Sequence, residues 1–206
     1  LQQLGLNTPD SHDLIVTGGG AKGAISALLN VLIQREAPDF RVATIAPWWL
    51  SYAPMVAGAG GRLVDMIPDG VDDDPFKMSP GKLRESLENW QPRIILFNHP
   101  SNPIGTVYTK AQLRELGKVM LDYIDKQNKD GVQVSVIEDG IYAQVAPQAC
   151  KPLGVVVPEL LPRLSTVTGM SKGWGMTGYR LGSLHAPVEI VNAAKKHLAH
   201  NGGCPT

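Results

Sequence analysis

The amino-acid sequence predicts an α/β domain with a mainly parallel sheet and helices on both faces. Short apolar runs alternate along the chain with segments whose apolar residues recur at helical spacing. The runs are continuous rather than alternating with polar residues, which is typical of parallel strands buried on both faces. No repeat or low-complexity linker divides the 206 residues, so we expect one domain over residues 1–206.

Seven apolar runs of strand length predict the strands of this sheet. They start with "DLIVT" and lie at residues 13–17, 41–46, 61–67, 92–98, 132–139, 164–171 and 180–186. The predicted helices lie at residues 21–35, in a short segment from Ser51, at 80–90, after Thr109 and at 187–200. Thr109 is the expected cap of its helix, whose predicted apolar face consists of Leu113, Leu116, Met120 and Ile124.

Composition and charge argue against several classes of function. The formal net charge is +0, so we expect no binding to nucleic acid or to an anionic membrane. No apolar run approaches the ~20 residues of a membrane span. Cys150 and Cys204 give neither a disulfide framework nor a metal pair, and we expect buried thiols and a cytoplasmic protein.

The two ends of the sequence indicate a piece of a longer protein. The chain begins "LQQLG" without Met and stops at "NGGCPT", on turn-forming residues directly after a predicted helix. Targeting therefore cannot be judged from the first residues.

A glycine-rich turn follows the first predicted strand. Gly18, Gly20 and Gly23 have the spacing of a dinucleotide-binding fingerprint, but no acidic residue ends the second strand. A P-loop is excluded because Gly23, rather than Ser or Thr, follows Lys22. Free N–H groups of Gly20, Ala21 and Lys22 at a helix N-terminus would suit one phosphate. A strand-to-helix turn without a ligand is the alternative.

Polar residues follow two later strands. Asn102 lies in a turn after the strand at 92–98, and Tyr142 follows Glu138 and Asp139 at the end of another. A carboxylate at the edge of a parallel sheet is costly unless it meets a positive partner. A solvated loop acid is the alternative for both carboxylates.

Two further segments carry candidate residues. Lys172 lies between Ser171 and a glycine after the sixth strand, which makes it a candidate for a Schiff base, and Arg180 follows eight residues later. Trp49 follows a proline turn after the second strand. It is either a flat surface on which a ring could stack or a residue of the core.

Together these segments resemble the large domain of fold-type-I pyridoxal-phosphate enzymes, in particular class I/II aminotransferases of the aspartate aminotransferase family. "NHPSNPIGTVY" (98–108) is similar to the family's N-x-P-x-N-P-T-G segment, and "SKGWGMTGYRLG" (171–182) to its lysine segment. The resemblance extends from about residue 14 to 203. It implies pyridoxal 5′-phosphate as cofactor, an amino acid and a 2-oxo acid as substrates, and a homodimer.

The resemblance also implies a role for each matching residue. Lys172 would form the Schiff base and move a proton between the substrate and the cofactor. Asp139 would pair with the pyridine nitrogen, and Asn102 and Tyr142 with the phenolic oxygen. Tyr52 lies where the family often has a residue near the aspartate.

The remaining roles concern the ring face and the phosphate. Trp49 would stack on the ring, and Arg180 would bind the phosphate together with N–H groups of Gly20, Ala21 and Lys22. Gly169 stands where the family often has a phosphate-binding Ser or Thr, so Ser171 or Thr168 would substitute. The Asn102–Pro103 bond is expected to be cis.

Three interpretations remain open on the sequence. The first is an aminotransferase; the second is a lyase or synthase on the same scaffold, since the cofactor does the chemistry that both share. The third is a non-enzymatic regulator domain that keeps this fold. The family's N-terminal segment and small domain, with the arginine that binds the substrate α-carboxylate, are not in this sequence. We therefore expect this chain alone to be inactive.

Overall fold

A single sheet organises the part of the chain that the computed structural model describes, residues 11–33, 39–146 and 150–201. Its strands are β1 (His12–Thr17), β2 (Arg41–Ile45), β3 (Arg62–Met66), β4 (Ile94–Asn98), β5 (Ser135–Asp139), β6 (Leu164–Gly169) and β7 (Gly182–Pro187). They lie in the order β1-β7-β6-β5-β4-β2-β3. Only β7 runs antiparallel to its neighbours β1 and β6 within this sheet; the other pairs are parallel. The predicted α/β class is confirmed.

Helices connect most of the strands. They are α1 (Gly20–Leu32), α2 (Tyr52–Ala59), α3 (Pro80–Trp90), α4 (Lys110–Lys129), α5 (Leu153–Val156), α6 (Met170–Gly173) and α7 (Val188–Asn201), with 3-10 turns at Pro158–Arg163 and Thr177–Tyr179. Thr109 caps α4 as predicted: its hydroxyl accepts from the Gln112 N–H, and the Gln112 side chain accepts from the Thr109 N–H.

The helices divide into two layers, one on each face of the sheet. On one face, called here the α1 face, α1, α2 and α7 bury residues such as Leu28 against Ile137. On the other, the α4 face, α3, α4 and α5 bury residues such as Leu116 against Val136. Ile137 and Val136 are neighbours on β5, so the alternation of side chains along one strand supplies both cores.

Several boundaries differ from the prediction. β6 ends at Gly169 instead of residue 171, and the next four residues form α6. α5 and the 3-10 turn after it were not predicted, because a single helical turn is too short to show a period of 3.6 residues. β5 begins at Ser135 rather than at 132.

Three smaller expectations can also be compared with the structure. The Asn102–Pro103 bond is cis, as expected, and Ala46–Pro47 and His99–Pro100 are cis as well. Cys150 is a free buried thiol, whereas Cys204 lies outside the described residues. Among the described residues, no helix combines the length and the hydropathy needed to cross a bilayer.

Candidate active site

The predicted site residues lie at one edge of the sheet because the strands that precede them are parallel. Four strands, β1, β4, β5 and β6, run in the same direction. They end at Thr17, Asn98, Asp139 and Gly169, respectively. The register pairs Asn98 directly with Asp139. The turns after these strands therefore meet at the edge where ligands bind in such sheets.

Arg180 holds the glycine turn that leads into α1. Its guanidinium donates from Nη2 to the Gly19 carbonyl at 2.7 Å and from Nη1 to the Thr177 carbonyl at 3.1 Å. The Gly20 N–H in turn donates to the Arg180 carbonyl at 2.8 Å. The prediction of a free N–H at Gly20 is therefore wrong. Within the described residues, the N–H groups of Ala21 and Lys22 make no hydrogen bond and remain available to an anion.

The close contact between this turn and β7 requires a glycine at position 182. A Cβ added to Gly182 would lie 2.4 Å from the Gly20 carbonyl carbon and 2.7 Å from the Thr17 hydroxyl oxygen. Gly20 itself has a φ of 69°, in the left-handed region that favours glycine. A side chain at 182 would displace the turn that carries the two free N–H groups.

Asp139 is a buried carboxylate on the α1 face. Its side chain accepts hydrogen bonds from the Tyr52 hydroxyl at 2.6 Å and from the Ile141 N–H at 3.2 Å. Only 3% of the residue is exposed, and this burial raises the pKa of Asp139. No lysine or arginine among the described residues forms an ion pair with it. The expected neighbour Tyr52 is confirmed, and burial beside Asp139 raises the pKa of Tyr52, which keeps it a donor.

Glu138 lies on the opposite, α4 face of the sheet. It is 1% exposed and accepts hydrogen bonds from the Leu153 N–H at 2.6 Å and from the Thr166 hydroxyl at 3.1 Å. Burial raises the pKa of Glu138 to about 7. Of the two neighbouring carboxylates, only Asp139 shares a face with α1 and Tyr52.

Asn102, Tyr142 and Lys172, which follow β4, β5 and β6, lie close together at this edge of the sheet. Asn102 Nδ2 donates to the Tyr142 hydroxyl oxygen at 3.4 Å. Lys172 lies on α6, directly after β6, and is exposed. Its Nζ lies 5.6 Å from the centroid of the Tyr142 ring. The structure thus brings together the predicted imine lysine and the two predicted partners of a phenolic oxygen.

Trp49 lies between Asp139 and the glycine turn that leads into α1. Its ring packs edge-to-face on Tyr52 with the centroids 5.6 Å apart, and Lys22 Nζ lies 5.5 Å from the Trp49 centroid. Trp49 is half-buried and contacts the core of the α1 face, so it is neither a fully buried core residue nor a free surface side chain.

The two candidate substitutes for a phosphate-binding hydroxyl differ in their contacts. The Thr168 hydroxyl is 2.8 Å from the Ser183 hydroxyl. The Ser171 hydroxyl makes no hydrogen bond within the described part of the chain, while the Ser171 carbonyl accepts from the Thr177 hydroxyl at 3.0 Å. Ser171 is the better placed of the two to accept a new partner.

The residues fit pyridoxal phosphate in their chemistry. Within the ranges that the structure describes, the buried carboxylate of Asp139 has no cationic partner, which suits a protonated ring nitrogen. Two N–H groups at a helix N-terminus are likewise unpaired there, which suits a phosphate. The guanidinium of Arg180 has five donors, of which only some are used by backbone carbonyls. Lys172 supplies an exposed amine at the same edge.

Comparison with known proteins identifies the family to which this chain belongs. The model of the family "Aminotransferase class I and II" matches residues 5–201. The aspartate aminotransferase of Geobacillus stearothermophilus is 31% identical over 189 residues, which cover 91% of this chain and 44% of that enzyme. The chain belongs to the class I and II aminotransferase family.

Solved structures show the same fold. The aspartate aminotransferase from Thermus thermophilus with maleate superposes with a TM-score of 0.80 at 26% identity, covering 99% of this chain and 49% of that one. The aromatic aminotransferase from Pyrococcus horikoshii superposes with a TM-score of 0.81 at 27% identity, covering 99% and 50%. This chain therefore spans about half the length of the proteins it matches.

Two residues that shape the site were missed in the sequence. Asn98 ends β4 and bonds to the backbones of both Asn102 and Asp139. Gly182 allows the backbone of β7 to approach Gly20 in the glycine turn before α1. Asn98 was visible as a polar residue at the end of an apolar strand, whereas nothing local to Gly182 indicates its neighbour Gly20.

Proposed function

We propose that the protein is a pyridoxal-phosphate-dependent aminotransferase that moves an amino group between an amino acid and a 2-oxo acid. The observation that carries this proposal is the buried carboxylate of Asp139 at the edge that holds Lys172. Its partners are a hydroxyl and a backbone amide, and no lysine or arginine of the described residues pairs with it. Membership of the aminotransferase family supports it. Within the complete protein, residues 1–206 would be the large, cofactor-binding domain.

When bound, pyridoxal phosphate supplies an aldehyde that forms an imine with an amine and a ring that accepts electrons. Lys172 Nζ would provide that amine and then carry a proton away from the substrate Cα. Asp139, held by the Tyr52 hydroxyl, would keep the ring nitrogen protonated. Asn102 and Tyr142 would donate to the phenolic oxygen.

The other residues would bind and orient. Trp49 would cover one face of the ring, since it is half-buried with its edge fixed against Tyr52. The N–H groups of Ala21 and Lys22 would bind the phosphate, and Arg180 would neutralise its charge. Gly20 would shape the turn, and the Ser171 hydroxyl would add a donor.

A homodimer is part of the proposal. Large apolar side chains next to the site residues are exposed: Leu50 at 83%, Trp174 at 60% and Tyr179 at 56%. Exposed apolar surface next to polar residues is typical of surfaces that contact another subunit. A cytoplasmic location is proposed with it, since Cys150 is a free thiol.

The test is product analysis with the full-length protein. The protein is loaded with pyridoxal phosphate and incubated with single amino acids and a 2-oxo acid acceptor. We expect a new amino acid and a new 2-oxo acid in equal amounts, and no product from Lys172→Ala. A product formed without consumption of the acceptor would contradict transamination and would favour a lyase.

A further inference from the structure

Asn98 joins the two loops that carry the proposed ring contacts. It ends β4 and lies beside Asp139 in the register of the sheet. Asn98 Oδ1 accepts from the Asn102 N–H at 2.6 Å, and Asn98 Nδ2 donates to the Asp139 carbonyl oxygen at 2.9 Å. One side-chain amide thus connects the backbones of two residues whose side chains would hold the ring nitrogen and the phenolic oxygen.

The chemistry of these two bonds requires an amide. The Asn102 N–H can only donate and the Asp139 carbonyl can only accept, so the bridging group must offer one acceptor and one donor. An aspartate at position 98 could accept from Asn102 but would repel the Asp139 carbonyl. An alanine would make neither bond.

Other bonds in this loop do not replace the bridge. Ser101 Oγ accepts from the Thr106 N–H at 3.0 Å, and His99 Nε2 accepts from the Tyr108 N–H at 3.0 Å. Both hold the distal part of the loop. The His99 N–H also donates to the Asp139 carbonyl at 3.1 Å, but this bond does not reach Asn102.

We propose that Asn98 is a positioning residue that fixes the place of Asn102 relative to Asp139. This inference rests on the proposed function, because it assigns Asn98 the task of presenting Asn102 to the phenolic oxygen of the cofactor. Asn98 itself would touch neither substrate nor cofactor.

The first measurement is the pH midpoint of the visible absorption of the bound cofactor in the full-length protein. A hydrogen-bond donor on the phenolic oxygen favours the more negative form of the bound group, so loss of that donor raises the midpoint. We expect Asn98→Ala and Asn98→Asp each to raise it by about one pH unit. Ser101→Ala removes a bond from the same loop without touching the bridge and should leave the midpoint near that of the wild type.

The second measurement needs no cofactor. Amide hydrogen exchange of Asn102 in the cofactor-free protein should become at least about tenfold faster in Asn98→Ala, because its acceptor is lost. In Asn98→Asp the acceptor remains, so exchange should stay close to the wild-type rate. The two variants therefore separate loss of the Asn102 bond from loss of the Asp139 bond.

The outcomes are distinguishable. If Asn98→Ala matches Ser101→Ala in both the midpoint and the exchange rate, the inference is overturned. If the wild-type protein binds no pyridoxal phosphate, the proposed function fails. In that case, an unchanged exchange rate in Asn98→Ala would also overturn the claim that Asn98 holds Asn102. A faster rate would confirm that Asn98 holds Asn102 but would remove the proposed purpose of presenting Asn102 to the cofactor.

Discussion

Glu138 and Asp139 are adjacent acids with different surroundings, since they lie on opposite faces of β5. Asp139 faces Tyr52 beside the proposed ring site, whereas Glu138 is bonded to Leu153 and Thr166 behind the sheet. Both are buried, so burial alone does not identify the functional carboxylate. The proposed role falls to Asp139 because α1 and the glycine turn before it lie on the Asp139 side of the sheet.

This difference gives a matched pair of variants. Asp139→Asn keeps the shape but removes the charge that would hold the ring nitrogen protonated. We expect the half-reaction with the best amino donor to slow by roughly 10²–10⁴, with the cofactor still bound. The measurement is the rate of spectral conversion on adding the donor. Glu138→Gln should stay within about threefold of wild type, because it acts on the other face.

An Asp139→Asn variant as fast as Glu138→Gln would show that Asp139 is a structural acid. The electron-accepting role of the ring would then need a different partner.

The proximity of single residues is predictable where they follow neighbouring buried strands. Asn102, Asp139 and Tyr142 were expected together, because parallel strands bring their carboxyl ends to one edge. The bond between the Gly20 N–H and the Arg180 carbonyl was not predictable, since it joins residues 160 positions apart. Tertiary contacts of this kind leave no mark in the local sequence.

Three elements, β1, α1 and β7, together form the glycine turn that would bind the phosphate. β1 and β7 are antiparallel neighbours with Thr17 opposite Gly182, which brings the end of β1 against the start of β7. Arg180 precedes β7 and binds back to Gly19. The geometry of the anion site therefore depends on close packing between strands as well as on the glycine motif.

Gly182→Ala tests this packing. The new Cβ would meet the backbone of Gly20 at 2.4 Å, which cannot be relieved by a side-chain rotation. We expect the affinity for pyridoxal phosphate to fall at least about tenfold, together with a lower thermal midpoint. Gly178→Ala is the control, because nothing lies within 4 Å of a Cβ there. Equal affinities in the two variants would contradict the role assigned to the turn.

Helices were predictable where they are long enough to show a periodic apolar face. α4 has 20 residues, a capping box and an apolar face, and it was expected from all three signals. α6 has four residues, which is too short for a periodic pattern, so the sequence predicts a turn at Lys172 where the structure has a helix. The position of Lys172 Nζ over the Tyr142 ring shows that Lys172 faces the loop after β5.

At the scale of the whole molecule, three titratable groups, Glu138, His99 and His185, make the free energy of unfolding depend on pH, and Glu138 acts in the direction opposite to that of the two histidines. Burial raises the pKa of Glu138 to about 7 and lowers the pKa values of His99 and His185 to about 4. Stability from Glu138 is complete below about 4.5 and is lost as the pH rises through 7. Stability from the two histidines is present above about 6.5 and is lost as the pH falls towards 4.

Glu138→Gln isolates the carboxyl contribution. Relative to wild type, the free energy of unfolding of the variant should increase between pH 5 and pH 8, by on the order of 1–3 kcal/mol. Urea unfolding at several pH values measures it. A difference between the two proteins that does not change with pH would show that Glu138 has the same pKa in the folded and unfolded states.

The oligomeric state is the second property of the whole molecule. The exposed Leu50 and Tyr179 adjoin Trp49 and Arg180 in the sequence, and the exposed Trp174 lies two residues after Lys172. We therefore expect the full-length protein to sediment as a dimer. Sedimentation as a monomer at micromolar concentration would contradict the homodimer.

The identity of the lysine that binds the cofactor is the most direct test of the whole account. The full-length protein is incubated with pyridoxal phosphate, reduced with borohydride, digested and mapped by mass spectrometry. We predict a pyridoxyl group on Lys172, which lies beside Tyr142 and Asn102 at the edge of the sheet. A pyridoxyl group on Lys22, the lysine of the glycine turn, or on no lysine at all would contradict the site described here.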